Sequence, residues 1–197
     1  EGYYGHTENL DLDRPAKLGV TLQNNKLNDK ILIAAQHNKS LQWEGMPGLE
    51  DWTVDLIHKI RQYSERHIVV RYHPRCPFFI PTQRFKMLLM NKVIENCTLE
   101  TPMQIESTYD AFNIDYNYHC VINHSSGPGI NAVIAGSNVI VDTKSLAYPM
   151  SIALEEIENP PKKKNKEKWL VEISHTEYTV DEIAEGLWLK RLKDSLV

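Results

Sequence analysis

Residues 118–142 read Y-H-C-V-I-N-H-S-S-G-P-G-I-N-A-V-I-A-G-S-N-V-I-V-D, and they decide the fold. The order is strand, tight turn, helix, strand. Cys120, Val121 and Ile122 form an apolar run of strand length, and Asn123 to Gly129 form a polar, glycine-rich turn. Ile130, Ala132, Val133, Ile134 and Ala135 set a short helix that Gly136 stops, and Val139, Ile140 and Val141 give the next strand. Pro128 suits the first helical turn, where its missing N–H is not needed. Two readings of the turn stand side by side. It is an ordinary strand-to-helix connection with a serine cap, or it is an anion cradle, since free N–H groups and the helix dipole both favour negative charge there.

Outward from this unit the same grammar repeats. Ile31 to Ala35 is a continuous apolar run, as expected of a parallel strand buried on both faces. It ends in the polar loop Gln36-His37-Asn38-Lys39-Ser40. Asp51 is expected to cap a helix marked by Trp52, Leu56, Ile57 and Ile60. Ile68 to Val70 is a second strand, followed at once by Arg71-Tyr72-His73-Pro74-Arg75. Pro74, Pro77 and Pro81 hold the next loop extended until a helix from about Thr82, with Phe85, Leu88 and Leu89 on its buried face. Val93-Ile94 reads as a short strand and Met103 to Phe112 as a helix. Beyond Asp142 the pattern gives a helical turn at Ser151 to Ile157 and helices at Lys166–Ser174 and Val180–Leu196, the last capped by Thr179.

Strands alternating with helices imply a parallel sheet with right-handed crossovers. The expected fold is α/β, a Rossmann-like three-layer domain with a mostly parallel sheet over residues 29–160. Residues 1–28 read as an arm or linker, the remnant of a preceding domain if the chain is a piece of a longer one. Residues 161–197 read as helices packing on the same domain. The 197 residues suffice for one well-packed domain plus an arm. A net charge of −4 gives no global pull toward nucleic acid or acidic membranes. Cys76, Cys97 and Cys120 are odd in number and widely spaced, which argues against a disulfide framework and for a reducing compartment, the cytoplasm. Neither a membrane-length apolar run nor a signal peptide is visible, and the Asn-X-Ser/Thr triplets at Asn38, Asn96 and Asn123 are read as chance.

A parallel sheet brings the Gln36–Ser40, Arg71–Arg75 and Asn123–Gly129 loops to one edge, facing one crevice. Arg71 and Arg75 offer forked donors to phosphate or carboxylate, or are solvated loop charges. His73 donates to a phosphate oxygen, acts as an acid, or orders the turn before Pro74. Ser125 and Ser126 offer hydroxyls beside free N–H groups, or Ser125 is a helix cap. His124 reads as a surface residue. Trp43 stacks on a base or sugar, or is a lid packing on the domain. The Lys162–Lys168 run reads as a solvated face, with contact to nucleic-acid phosphates as the lesser reading. The sequence lacks a P-loop, a G-x-G-x-x-G after the first strand, a G-x-S-x-G elbow and an H-E-x-x-H.

Arg71-Tyr72-His73-Pro74, followed about fifty residues on by His124-Ser125-Ser126-Gly127, resembles the paired HP and SS motifs of GT-B glycosyltransferases. Bacterial polysialyltransferases and capsule Kdo-transferase-type enzymes carry such a pair. The succession I-L-I-A-A-Q, V-V-R-Y-H-P-R, I-N-H-S-S-G-P-G and A-G-S-N-V-I-V-D, with a K-E-K-W-L tail, is also similar to glycosyltransferase-like proteins encoded by bacteriophages. The resemblance spans about Lys30 to Leu189. It implies the donor-binding half of a GT-B fold, with His73, Ser125 and Ser126 on the donor phosphate and nucleotide; the polar loops of the same edge add Gln36, Arg71, Arg75 and Gly127 to that expected set. It further implies a nucleotide sugar as co-substrate, no cofactor and no metal. The acceptor would be a glycan, a protein or a modified nucleic-acid base, with a missing N-terminal domain or a partner subunit completing the enzyme. In that family the general base comes from the other half; Glu8, Asp11 and Asp13 lie in the arm without a motif, so the base stays unassigned. A non-catalytic nucleotide-binding module and a nucleotide-sugar epimerase or hydrolase are the rival readings.

Overall fold

The computed structural model describes residues 10–37, 39–73, 79–91, 93–100, 103–104, 112–162 and 165–189. The chain divides into two compact units, residues 23–162 and a smaller one built from 1–22 with 163–197.

The larger unit is an α/β domain around a five-stranded, all-parallel sheet. Its strands are β1 (Ile31–Ala34), β2 (Ile68–Arg71), β3 (Cys97–Glu100), β6 (Cys120–Ile122) and β7 (Asn138–Ile140), in the spatial order β3-β2-β1-β6-β7. The chain thus starts in the middle, runs to one edge, and returns to build the other side. Helices α2 (Leu49–Ile60) and α3 (Phe79–Met90) make the crossovers on the first side, and α4 (Gly127–Ala135) makes the one on the second. Right-handed crossovers running in opposite directions from β1 place their helices on opposite faces. In keeping with this, Ile31, Ile33, Ile68, Val70, Cys120 and Ile122 share one core with Leu49, Ile57, Ile60 and Phe85, and α4 lies outside it against β6 and β7. The result is the expected Rossmann-like fold.

Strands β1, β2 and β6 are buried along their whole length, which is why they read as unbroken apolar runs. Helix α2 starts earlier than expected. Gly48 is its N-cap, Leu49 and Thr53 extend the buried stripe of Ile57 and Ile60, and Asp51 lies in the first turn with Glu50, where a carboxylate complements the dipole. Helix α3 also begins earlier, at Phe79 rather than Thr82. Helix α4 ends at Gly136 as expected, with a φ of 99°. A Cβ there would come within 2.9 Å of the Gln23 carbonyl oxygen, so only glycine fits.

Two expectations fail. Val93-Ile94 is not a strand; Ile94 is buried in the core, Asn96 turns the chain with a φ of 52°, and the strand is β3. As an edge strand β3 tolerates the polar Thr98 and Glu100, so the apolar signal sits just ahead of it. Met103 to Phe112 is not a continuous helix either. Met103–Gln104 (β4) pairs antiparallel with Phe112–Asn113 (β5), Met103 opposite Asn113. A helix would hold those residues about 15 Å apart, whereas a ladder needs about 5 Å. Residues 105–111 lie outside the described set.

In the smaller unit the segment expected to be an arm or linker makes one helical turn, α1 (Arg14–Lys17). Helix α5 (Lys166–Ser174) is as expected, with Trp169, Leu170 and Ile173 buried. Thr179 caps α6 (Val180–Ala184) through a capping box with Glu182. The expected long helix is interrupted at Gly186, whose φ is 74°; helical backbone resumes at 187–189, and 190–196 lie outside the described residues. No described helix is long and apolar enough to cross a membrane.

Candidate functional site

The order of the strands reverses between β1 and β6, and in open α/β sheets ligands bind in the crevice beyond the carboxyl ends at such a switch point. Register fixes what stands there. Ile33 pairs with Ile122, and Ala34 pairs with Arg71 on the other side. Counting on past the strand ends brings Ala34 beside Asn123, and Gln36 beside both Ser125 and His73.

The side chains bear this out. Asn123 is buried; its Nδ2 donates to the Ala34 carbonyl at 2.7 Å and to Ser126 Oγ at 3.1 Å, and its Oδ1 accepts from the Ser126 N–H at 2.9 Å. One amide therefore joins the ends of β1 and β6 and fixes the turn that leads to Ser126, the N-cap of α4. Two residues on, buried Gln36 accepts at Oε1 from the Ser125 N–H at 3.2 Å, with the Ser125 hydroxyl also 3.2 Å away. Its Nε2 donates to Ser40 Oγ at 3.2 Å and to Gln42 Oε1 at 3.0 Å. Ser125 Oγ also reaches Gln42 Oε1, at 3.0 Å. From β2, the His73 ring meets the His37 ring edge to face, with centroids 5.1 Å apart. The three loops singled out in the sequence thus do meet on one edge. At the N-terminus of α4, Gly127 is exposed, and a Cβ on it would meet nothing within 4 Å, so the approach to the first helical turn is open.

Arg71 is placed differently from the other candidates. Its guanidinium is buried, held to the Glu100 carboxylate at 2.9 Å, to the Asp115 carbonyl at 2.9 Å and to the Tyr118 hydroxyl at 3.4 Å. The Tyr116 and Tyr118 rings lie 5.6 and 5.7 Å from it. Burial first, and the Glu100 carboxylate second, push the Tyr118 hydroxyl up to about 12, and burial raises Tyr116 as well. Both phenols stay protonated at neutral pH. Arg75 lies outside the described residues.

Trp43 takes the packing role. It is buried, donates from Nε1 to the Pro47 carbonyl at 3.1 Å, and meets Trp52 edge to face at 5.2 Å. His124, read from sequence as a surface residue, is buried with its ring 5.4 Å from that of Trp43. Lys162 is exposed, and Lys168 pairs with Glu172 one turn on, as solvated helix charges do. Burial raises the Cys97 and Cys120 thiols, which makes both poor nucleophiles. Among the described residues no group of three or more His, Cys, Asp or Glu is placed to hold a metal.

Sequence reasoning placed Asn123 and His37 in the converging loops without giving either a role, and it missed Gln42. Asn123 and His37 were reachable by counting register beyond the strand ends. Gln42 was not, because its reach depends on the 3-10 turn Leu41–Trp43. Compared with known proteins, the chain matches no family model, no curated protein and no solved structure.

Proposed function

We propose that this chain is the donor-binding half of a GT-B-type glycosyltransferase, gripping the phosphates of a nucleotide-activated sugar in the switch-point crevice. The observation that carries the reading is the Gln36–Ser125 junction, which holds the Ser125–Gly127 turn open beside the N-terminus of α4. In this mechanism an acceptor oxygen attacks the anomeric carbon. The bond from that carbon to the phosphate oxygen breaks, and its electron pair leaves with the nucleotide. Ser125, Ser126, His73 and the amides of the first turn of α4 stabilise that departing charge. The acceptor's proton goes to a base that no described residue is assigned to supply. Arg71 would act through its cluster, as a buttress at the end of β2, and the HP and SS resemblance adds His73 and the two serines as phosphate contacts.

The commitment of Arg71 to Glu100 favours a second reading, a nucleotide-binding module without transfer, because it removes one full positive charge from the phosphate side of the site. A panel of nucleotide sugars, with and without glycan, protein and modified-base acceptors, separates the two. Transfer requires acceptor-dependent release of nucleotide; the module binds and releases nothing. Each hydroxyl facing a phosphate is worth about 1.5–3 kcal/mol, so the double variant Ser125→Ala, Ser126→Ala should bind donor about a hundredfold more weakly. If no nucleotide or nucleotide sugar binds and the double variant changes nothing, the phosphate site is wrong.

A further inference from the structure

We propose that Gln42, with Ser40, forms a donor-only wall of the switch-point crevice and selects an oxyanion, such as a phosphate group, as its ligand. The inference rests on the reading that this crevice holds a ligand phosphate, and it adds the residues and the chemical rule by which the phosphate is chosen.

The polarity of the hydrogen-bond chain is set at its inner end. The Ser125 backbone N–H can only donate, so the Gln36 atom 3.2 Å away must be its carbonyl oxygen. The Gln36 amide nitrogen then faces outward and can only donate, which makes the Gln42 atom 3.0 Å from it the oxygen of that amide. The one hydroxyl proton of Ser125 reaches either this oxygen, at 3.0 Å, or Gln36 Oε1, at 3.2 Å. With its acceptor held inward, exposed Gln42 turns its NH₂ group outward. Ser40 is fixed the same way. Its Oγ accepts from Gln36 Nε2 at 3.2 Å and from the Gln42 N–H at 3.3 Å, which leaves its own hydroxyl proton to give. One backbone N–H thus imposes a single direction on two amides and a hydroxyl, and the outermost groups can only donate.

A face of donors without acceptors fits a ligand made of acceptors. A phosphate oxygen satisfies it; a sugar hydroxyl or a base amine does so less well. Neutral donors suit a phosphate that must later leave, because they bind it without a permanent counter-charge. A separate sign of a missing partner lies on the same β6–α4 loop. His124 is only 7% exposed, and its Nε2 has no hydrogen-bond partner among the described residues. Buried polar atoms are ordinarily satisfied, so this one stands out on the loop that carries Ser125.

The test uses inorganic pyrophosphate as probe, with calorimetry for affinity and side-chain amide NMR for contact. Pyrophosphate should shift the Gln42 NH₂ resonances. Gln42→Leu removes the donor without adding charge and should weaken binding about tenfold. Gln42→Glu keeps the inward acceptor but replaces the outward donor with a carboxylate, and should weaken it about a hundredfold. Leu41→Glu, at the neighbouring 88% exposed position, controls for charge alone and should cost less than threefold. Pyrophosphate that fails to bind, or binds equally to Gln42→Leu, overturns the donor wall, as does an equal loss in Gln42→Glu and Leu41→Glu. The two readings fail separately. If pyrophosphate behaves as expected but no nucleotide sugar is bound or turned over, the glycosyltransferase reading falls and the wall stands. If nucleotide sugars bind and the Gln42 variants leave their affinity unchanged, the wall falls and the glycosyltransferase reading stands.

Discussion

Two neighbouring stretches of the same sheet edge solve the burial of polar groups in opposite ways. At the ends of β2 and β3, Arg71 and Glu100 meet as a charged pair, roofed by Tyr116 and Tyr118 and tied to the Asp115 carbonyl. One step across, at the ends of β1 and β6, the groups are neutral: Asn123, Gln36, Gln42 and Ser125. The charged cluster closes on itself, because a buried guanidinium is tolerable only when its donors are met. The neutral network has no such compulsion. Its inner amides are satisfied, and its outer ones face water at little cost. Formal charge is therefore a poor guide to which residue of an edge faces a ligand. The arginine that looked best suited to a phosphate is the one held most firmly by the protein.

The largest expected effect tests the closed side. Arg71→Ala removes one partner of a buried ion pair, a change that costs about 3–5 kcal/mol in general. The Glu100 side chain is 35% exposed, so water takes up part of its charge, and the lower end, about 3 kcal/mol in urea unfolding, is expected. Pyrophosphate affinity of the folded fraction should change less than twofold. Stability intact with binding lost would place Arg71 in the ligand site and dissolve the contrast between the two stretches.

Asn123→Ala comes next and probes the hinge between β1 and β6. It leaves the Ala34 carbonyl and the Ser126 N–H without their partner, for about 2 kcal/mol of stability. Unlike Arg71→Ala, it should also weaken pyrophosphate binding, because Asn123 sets the turn that carries Ser125 and Ser126. A change in stability alone would make Asn123 a strand clamp with no bearing on the site. Gln36→Met is smaller in stability, about 1 kcal/mol, because Ser125 and Gln42 can turn to water. Its effect on pyrophosphate should exceed that of Asn123→Ala, since it unsets the direction of the whole amide chain. The reverse order would mean that the turn, not the amide chain, governs the anion.

The buried parallel strands were legible because burial on both faces leaves a run of Ile, Val and Leu with no alternation, and α4 was legible because Pro128 and Gly136 mark its two ends. The convergence of three loops on one edge followed from the parallel sense of the strands alone. What stayed hidden has physical reasons. Edge strand β3 needs only one neighbour and one apolar face, so its residues carry a weak signal. Ribbon β4–β5 is two residues a strand, too short for any periodicity. The fate of Arg71 depended on Glu100, Asp115, Tyr116 and Tyr118, which lie 29 to 47 positions away in sequence. Gln42 depended on the direction of hydrogen bonds, which no pattern of residue types records.

The smallest effect at neutral pH, and the one that tests whether charge in this protein is structural in general, concerns Arg14 and Glu182 of the smaller unit. Arg14 is buried; its NH2 donates to Glu182 Oε2 at 2.9 Å and to the Glu177 carbonyl at 2.8 Å, its NH1 pairs with Oε1, and the Tyr178 ring lies 5.0 Å away. Arg14 first, and the Thr179 N–H second, lower the Glu182 carboxyl from 4.5 to about 2. In the unfolded chain that carboxyl takes up its proton near 4.5, so between there and about 2 the unfolded state binds more protons. Stability from this pair is therefore fully present above about pH 4.5 and is lost as pH falls through the folded value. Urea unfolding of the whole chain across this window should show an acid limb that Glu182→Gln flattens. Pyrophosphate affinity measured at pH 7 should be the same in Glu182→Gln and in the unmodified chain. An acid limb that survives Glu182→Gln would move the titration to other carboxylates. A loss of pyrophosphate affinity at pH 7 would break the division between charged pairs that hold the protein together and the neutral donors of the proposed site.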